Sequence, residues 1–234
     1  MFGWNVTSRK ETKRVSEASG AYDGGVTGAL SGIVVGTRVA TATGWRDVGA
    51  LQEGDEVLTF DGGLQPVIAV RRRPIWSGRG PCPSTFWPLL IPAGALENVK
   101  PMWIMPRQGV MLESDVAEKV LGDPFALVPA SVLVGVRGIE QSYPNDPVEV
   151  VTLCFENDQV VFAEQGTLLF CPSGNDLVLA ALSGLKSDCL YEMLPEASAK
   201  CVASRLGKRG ANEHVLEAFR ALLNDRLSDC VAAA

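Results

Sequence analysis

The chain has 234 residues, of which 47% are hydrophobic and 21% are charged, and these proportions are typical of a folded domain. Its formal net charge of −6 argues against non-specific binding to nucleic acid, which depends on an excess of lysine and arginine. No run approaches the ~20 consecutive apolar residues of a transmembrane helix. The N-terminus lacks the apolar core of a secretory signal, so we expect a cytoplasmic chain unless it is exported by a route that leaves no N-terminal mark.

The cysteines and the histidine argue against a bound metal. Six cysteines are spread along the chain without a CxxC pair, and His214 is the only histidine. This is not the ligand spacing of a zinc site, and we expect neither a metal nor another cofactor. Cys154 and Cys171 are expected to be buried, reduced thiols. A redox pair, or a surviving thiol nucleophile, is the alternative interpretation of these two residues.

Residues 1–31 are rich in Ser, Thr, Lys, Arg and Gly, which is the composition of a flexible arm. We expect a disordered leader, and an arm that packs on a partner is the alternative.

From Ile33 onward the sequence consists of short apolar runs separated by turn residues. A first run covers 34–41, and a second, 56–60, leads into Asp61-Gly62. An Asp-Gly pair between alternating apolar runs predicts a β-hairpin, because both turn residues tolerate positive φ. Later predicted strands are 102–105, 109–112, 125–128, 148–156 and 159–164, the last two joined by a turn at 157–158. Many short strands with little helix indicate a compact, mainly β fold.

The C-terminal part, residues 176–234, has a helical pattern. Asn212 is a suitable N-cap for a helix with an apolar stripe. The stripe consists of Val215, Leu216, Phe219, Leu222, Leu223 and Leu227. We expect this helix to pack on the β domain, and pairing with a partner helix is the alternative. The predicted organisation is therefore an arm at 1–31, a β domain at 32–175 and a helical extension at 176–234.

Two features in the middle of the chain are candidates for contact with a partner. The three arginines at 71–73 are expected at the solvated end of a strand, or alternatively at a site for phosphate or an acidic partner. The Pro- and Gly-rich segment 74–88 carries Trp76, Arg79 and Trp87. A loop buried over the core explains these residues. A protein-contact surface is the alternative, because Trp and Arg are favoured interface anchors.

Ordered sequence blocks resemble Hint (Hedgehog/intein) domains, and the bacterial hedgehog-type family in particular. The first block runs from GTRVAT at 36–41 through GWRDV at 44–48 to LQEGDEVLT at 51–59. The further blocks are DGGLQPV at 61–67, IPAGAL at 91–96, LVPA at 127–130 and QVVFAE at 159–164. The resemblance implies the Hint β fold for residues from about 32 to 175. Within the first block, Gly36 is expected to permit close backbone approach.

In that family the domain rearranges the peptide bond before its own first residue. A Cys or Ser side chain attacks the preceding carbonyl, and a histidine in a later block polarises or protonates the scissile amide. The resemblance places the nucleophile position at Gly32, which has no side chain. Gln108 stands where the family has a histidine, and its neutral amide cannot transfer a proton near pH 7. Asp158 stands at a second family histidine position.

The absence of the nucleophile and of both histidines predicts a catalytically inactive Hint-fold protein. Such a protein would serve in binding, structure or assembly, with a protein partner or with further copies of itself. The alternative is residual self-cleavage with Ser31 as the nucleophile, which requires a register shift of one residue. His214 lies outside the resembling blocks and is expected on a helix surface.

Overall fold

The computed structural model describes residues 31–114, 117–118, 123–173, 191–204 and 206. The strands of its first half are β1 (Ile33–Val34), β2 (Arg38–Thr41), β3 (Gly44–Asp47), β4 (Glu56–Thr59), β5 (Gly63–Pro66), β6 (Ala69–Trp76) and β7 (Leu89–Ile91). Those of its second half are β8 (Met102–Ile104), β9 (Gly109–Glu113), β10 (Phe125–Pro129), β11 (Glu140–Gln141), β12 (Val148–Cys154), β13 (Gln159–Ala163) and β14 (Thr167–Cys171). The helix α1 (Glu196–Ala203) follows them.

The strands form two antiparallel sheets. The six-stranded sheet has the order β11-β7-β8-β1-β12-β6. The larger sheet has the order β10-β9-β14-β13-β2-β4-β5, with β3 paired to β2. The mainly β fold expected from the sequence is confirmed.

The central strand of the larger sheet, β13, is buried at every position. Val161 and Ala163 belong to the main core cluster, whereas Val160 and Phe162 belong to a second cluster. Successive side chains of a strand point to opposite faces, so this sheet carries apolar packing on both sides. Burial of each large apolar side chain favours folding by about 1.5–3 kcal/mol.

The hairpin predicted at Asp61-Gly62 is present between β4 and β5, but its turn differs from the expected one. Thr59 pairs with Gly63, so three residues form the loop. The positive φ of +66° falls on Gly63 rather than on Asp61 or Gly62. Gly63 is the first residue of β5, so the left-handed conformation is adopted directly after the three-residue loop.

The predicted run 34–41 is divided into two strands that belong to different sheets. Gly36 lies between β1 and β2 with a φ of +94°, and a Cβ added there would meet no atom within 4 Å. The expectation of close backbone approach is therefore wrong. Glycine is favoured at this position because the turn requires positive φ.

The expectation that the three arginines end a strand is also wrong. The strand β6 runs through 71–73 and continues to Trp76, because β12 pairs with it as far as Val148. The first residues of the Pro-rich segment 74–88 are consequently strand rather than loop.

The described part of the C-terminal extension packs on the β domain. The backbone N–H of Leu194 donates to the carbonyl of Leu127 in β10 (2.8 Å), and Ala199 and Val202 of α1 belong to the main core. The Tyr191 hydroxyl donates to the Asp61 carboxylate, and burial, followed by this hydrogen bond, raises the pKa of Tyr191.

Some expectations concern residues beyond the described part of the chain. They are the N-terminal arm up to residue 30, the helix starting at Asn212, and His214. The predicted domain boundaries therefore remain predictions. Within the described residues, no helix combines the length and the apolar composition needed to cross a bilayer.

In the turn between β13 and β14, steric contact with neighbouring backbone requires a glycine at position 166. A Cβ on Gly166 would lie 2.2 Å from the carbonyl oxygen of Glu97, which is far inside van der Waals contact. We expect Gly166→Ala to lower the free energy of unfolding by about 3 kcal/mol or more, because backbone must move to admit the methyl group. Gly36→Ala is the matched control, and we expect it to cost only about 1–2 kcal/mol through its positive φ. Urea unfolding measures both; equal losses would contradict the steric argument.

Candidate functional site

The peptide nitrogen of Gly32, just before β1, lies against a buried side chain. Its N–H donates to Oε1 of Gln108 at 2.9 Å. Gln108 is only 2% exposed. These are the residues at the nucleophile and histidine positions that the resemblance assigned, so the structure brings them together.

Gln108 is held at this place by the turn between β8 and β9. Its backbone N–H donates to the Met105 carbonyl (3.0 Å), and its own carbonyl accepts from the N–H of Ala130 (2.9 Å). The side-chain Nε2 donates to the carbonyls of Phe170 (2.7 Å) and Gly109 (3.1 Å). The amide oxygen and both N–H bonds of the amide nitrogen therefore have hydrogen-bond partners, as is usual for a buried polar side chain.

The backbone at Gly32 has a φ of +113°, a conformation that residues with a side chain rarely adopt. A Cβ built there would lie 3.1 Å from Cβ of Val150 and 3.4 Å from the carbonyl oxygen of Val151. A cysteine or serine at this position would have to change the backbone conformation and displace Val150.

Ser31, the alternative nucleophile, is 5% exposed. Gln108 contacts the nitrogen of the peptide bond between Ser31 and Gly32. Attack by the Ser31 hydroxyl on its preceding carbonyl would instead break the bond between residues 30 and 31. The amide that Gln108 engages is therefore one peptide unit away from the bond that Ser31 would cleave.

Asp158 has a different position from the other two assigned residues. Its Oδ1 accepts the backbone N–H of Ser173 at 2.7 Å and so joins the β12–β13 turn to the chain after β14. It is not among the residues that line the space beside Gly32 and Gln108.

The space beside Gly32 has no room for a water molecule, and its lining includes two residues that sequence reasoning did not assign to the site. Thr152 is half-buried there, one position beyond Val151, which pairs with Ile33. Because Val151 pairs with Ile33, the next residue, Thr152, lies beside Gly32. Prediction of this strand pairing would have assigned Thr152 to the site. Cys171 also lines this space.

Burial raises the pKa of the Cys171 thiol and also that of Cys154. Neither sulfur is in a disulfide in the described structure. Because the thiolate is the nucleophilic form, a raised pKa makes both cysteines poor nucleophiles. In the part of the chain that the structure describes, no three His, Cys, Asp or Glu side chains lie close enough to hold a metal ion.

Two of the three interaction candidates pack against the same aromatic ring, that of Tyr143. Trp76 and Trp87 are half-buried, and each packs edge-on against Tyr143 with ring centroids 5.6 Å apart. The indole N–H of Trp87 donates to the Cys82 carbonyl at 2.9 Å, whereas that of Trp76 is buried without a partner. Arg79 is exposed.

The structure is a β domain of two antiparallel sheets, which the Gln108 side chain links at the Gly32 nitrogen and the Phe170 carbonyl. The family model for the Hint domain matches residues 32–168, which is more than half of the chain. The chain belongs to the Hint domain family.

Solved intein structures are also similar to this chain. A splice-inactive variant of the AceL NrdHF class 3 split intein is 13% identical with a TM-score of 0.41, and the match covers 62% of this chain and 99% of that one. An intein-like domain from Clostridium thermocellum is 16% identical with a TM-score of 0.40, over 60% and 98% of the two chains. The gp41-1 intein is 16% identical with a TM-score of 0.37, over 60% and 98%. No curated protein matches the sequence.

The hydrogen bonds of Gln108 generate a stability prediction. Gln108→Ala removes the side chain that pairs with the Gly32 N–H and with the Phe170 carbonyl, and we expect it to lower the free energy of unfolding by roughly 2–4 kcal/mol. Gln65→Ala is the matched control. Its amide donates to the Gly62 carbonyl at the surface, and we expect a loss of about 0.5 kcal/mol or less. Urea unfolding tests both variants; a loss for Gln108→Ala no larger than that of the control would contradict the assigned hydrogen bonds.

The raised thiol pKa of Cys171 predicts selective labelling. At pH 8 we expect iodoacetamide to modify the exposed Cys201 about tenfold faster than Cys171 or more, since each unit of raised pKa lowers the thiolate fraction about tenfold. Peptide mapping by mass spectrometry gives the two rates. Urea should remove the difference, and equal rates in the native protein would show that Cys171 is an accessible thiolate.

Proposed function

We propose that this protein is a Hint-fold domain without autoprocessing activity, which acts through its surface as a binding, structural or assembly module. The observation that carries the proposal is Gly32. Acyl transfer needs a side-chain nucleophile at this position, and the residue has neither a side chain nor a backbone conformation that accommodates one. We retain the cytoplasm as its expected location.

Gln108 supports the same proposal. Its amide oxygen accepts the Gly32 N–H, but an amide cannot deliver a proton to a leaving amine near pH 7. The amide also makes more hydrogen bonds than a histidine would. A neutral imidazole has one donor and one acceptor, whereas Gln108 uses two donors and one acceptor. The residue at this position thus acts as a structural bridge.

Residual autoprocessing by Ser31 is the second candidate, because Ser31 is buried directly before Gly32. Two observations speak against it. Gln108 engages the wrong peptide nitrogen for this reaction, and the side chains lining the space beside Gly32 include no carboxylate, histidine or lysine to act as a base.

The proposal predicts that the freshly expressed chain keeps its full mass of 24.9 kDa, with or without added hydroxylamine or thiol. These reagents would cleave an ester or thioester intermediate. Intact-mass spectrometry over several days provides the measurement. A fragment that begins at Ser31 or Gly32 would refute the proposed inactivity.

Ser31→Ala is the control for this experiment. It removes the only candidate hydroxyl but leaves the backbone unchanged, so we expect its mass profile to match that of the wild type. Cleavage in the wild type that disappears in Ser31→Ala would establish the second candidate function instead.

A further inference from the structure

The strand β6 forms one end of the six-stranded sheet. It pairs with β12 from Ala69, opposite Cys154, to Trp76, opposite Val148. In the described part of the chain, no strand pairs with its other side. The outer side of such an edge strand presents backbone N–H and C=O groups that can pair with another strand.

The arginines of β6 divide between the two faces of this sheet. Arg72 pairs with Val151, and its guanidinium donates to the carbonyls of Gly49 (3.1 Å) and Leu51 (2.7 Å). Arg71 and Arg73 lie on the opposite face, because side chains alternate along a strand. Arg72 therefore has a structural role within the domain, and the other two remain available.

Within the described residues, Arg71 and Arg73 lack hydrogen bonds of the kind that hold Arg72, although Arg71 interacts electrostatically with the buried Cys154 thiol. Neither makes an ion pair or a side-chain hydrogen bond with any described residue, and the same is true of Arg79 beyond the end of the strand. The described ion pairs involve other cations, namely Arg38, Arg46, Arg137 and Lys200. The chain has a net charge of −6, whereas the strand β6 carries three arginines and no acidic residue. Charge complementarity therefore favours a partner that carries carboxylates.

The same arginines determine which strands can pair here. Charged side chains and a proline on an edge strand discourage pairing with apolar strands, and a second copy of β6 would place arginine against arginine. Pro74 has no N–H to donate, so an added strand would pair with Ala69–Arg73. Arg71 and Arg73 are two residues apart on one face, a spacing that matches acidic residues at alternate positions of an extended strand.

We propose that the outer edge of β6 binds an extended acidic segment of a partner protein, which adds a strand to the six-stranded sheet and places alternate Asp or Glu side chains against Arg71 and Arg73. Main-chain pairing supplies affinity in this mode of recognition, and the alternating side chains supply specificity. This inference rests on the proposed binding function and gives it a class of partner.

The test uses the full chain and a synthetic peptide of about eight residues with blocked ends, in which glutamate alternates with threonine or valine. We expect binding by isothermal titration calorimetry. Hydrogen exchange should show new protection of the amides at 69–73. The double variant Arg71→Glu, Arg73→Glu should weaken binding by about tenfold or more, since two ion pairs are replaced by repulsion.

Two controls separate edge recognition from general electrostatics. The double variant Lys100→Glu, Arg107→Glu makes the same change of net charge with exposed cations that lie outside β6, and it should bind as the wild type does. A peptide with glutamine in place of glutamate should bind about tenfold more weakly or worse.

Each contrary outcome would overturn the inference. These outcomes are absence of binding, equal weakening by both double variants, equal affinity for the glutamine peptide, absence of protection at 69–73, and self-association through β6 in place of peptide binding. Intact mass is recorded on the same sample. Loss of peptide binding by uncleaved protein rejects the acidic-strand inference alone, whereas a fragment beginning at Ser31 or Gly32 rejects the proposed function.

Discussion

The arrangement of this domain depends on one buried amide group, that of Gln108. Its oxygen accepts the N–H of Gly32, directly before β1 of the six-stranded sheet, and its nitrogen donates to the Phe170 carbonyl of β14 in the larger sheet. Because both partners are backbone groups, the amide links the two sheets whatever side chains surround it. An unpaired polar group at this depth would cost free energy, so the position demands a side chain with both donors and an acceptor.

The glycine that faces this amide imposes a second and independent constraint. The N–H of Gly32 donates to Gln108 while its backbone adopts a φ of +113°, and a Cβ in that conformation would lie 3.1 Å from Cβ of Val150. A nucleophile introduced at this position alone would be strained, and a histidine introduced at 108 alone would leave a carbonyl unpaired. The two positions therefore carry separate structural constraints, and a change at either one would lower the stability of the domain.

Much of this arrangement could be predicted from the sequence, for reasons that particular residues illustrate. The blocks that include 36–41 and 159–164 predicted the fold, and the resemblance paired Gly32 with Gln108 although 76 positions separate them. The alternation of apolar and polar residues that identifies a strand did not identify β14, because its buried, mainly apolar run TLLFC has no period of two. It also failed for β11, since a strand of two residues has no periodic pattern. The arginines at 71–73 were expected at the solvated end of a strand, whereas they lie within β6. They are compatible with an edge strand, and edge position is a property of the sheet order that no local pattern contains.

The strand β12 lies between the two regions on which the proposals rest, namely Gly32 beside β1 and the outer edge of β6. One of its sides pairs with β1, where Val151 opposes Ile33, and the other pairs with β6, where Thr152 opposes Arg71. Thr152 also lines the space beside Gly32. A strand added to β6 would turn that strand from an edge into an interior member of the sheet and would reduce fraying of the pairs that β12 makes with it. Since the position of Val150 in β12 restricts what can occupy residue 32, binding at the edge and the geometry of the first peptide bond share one structural element.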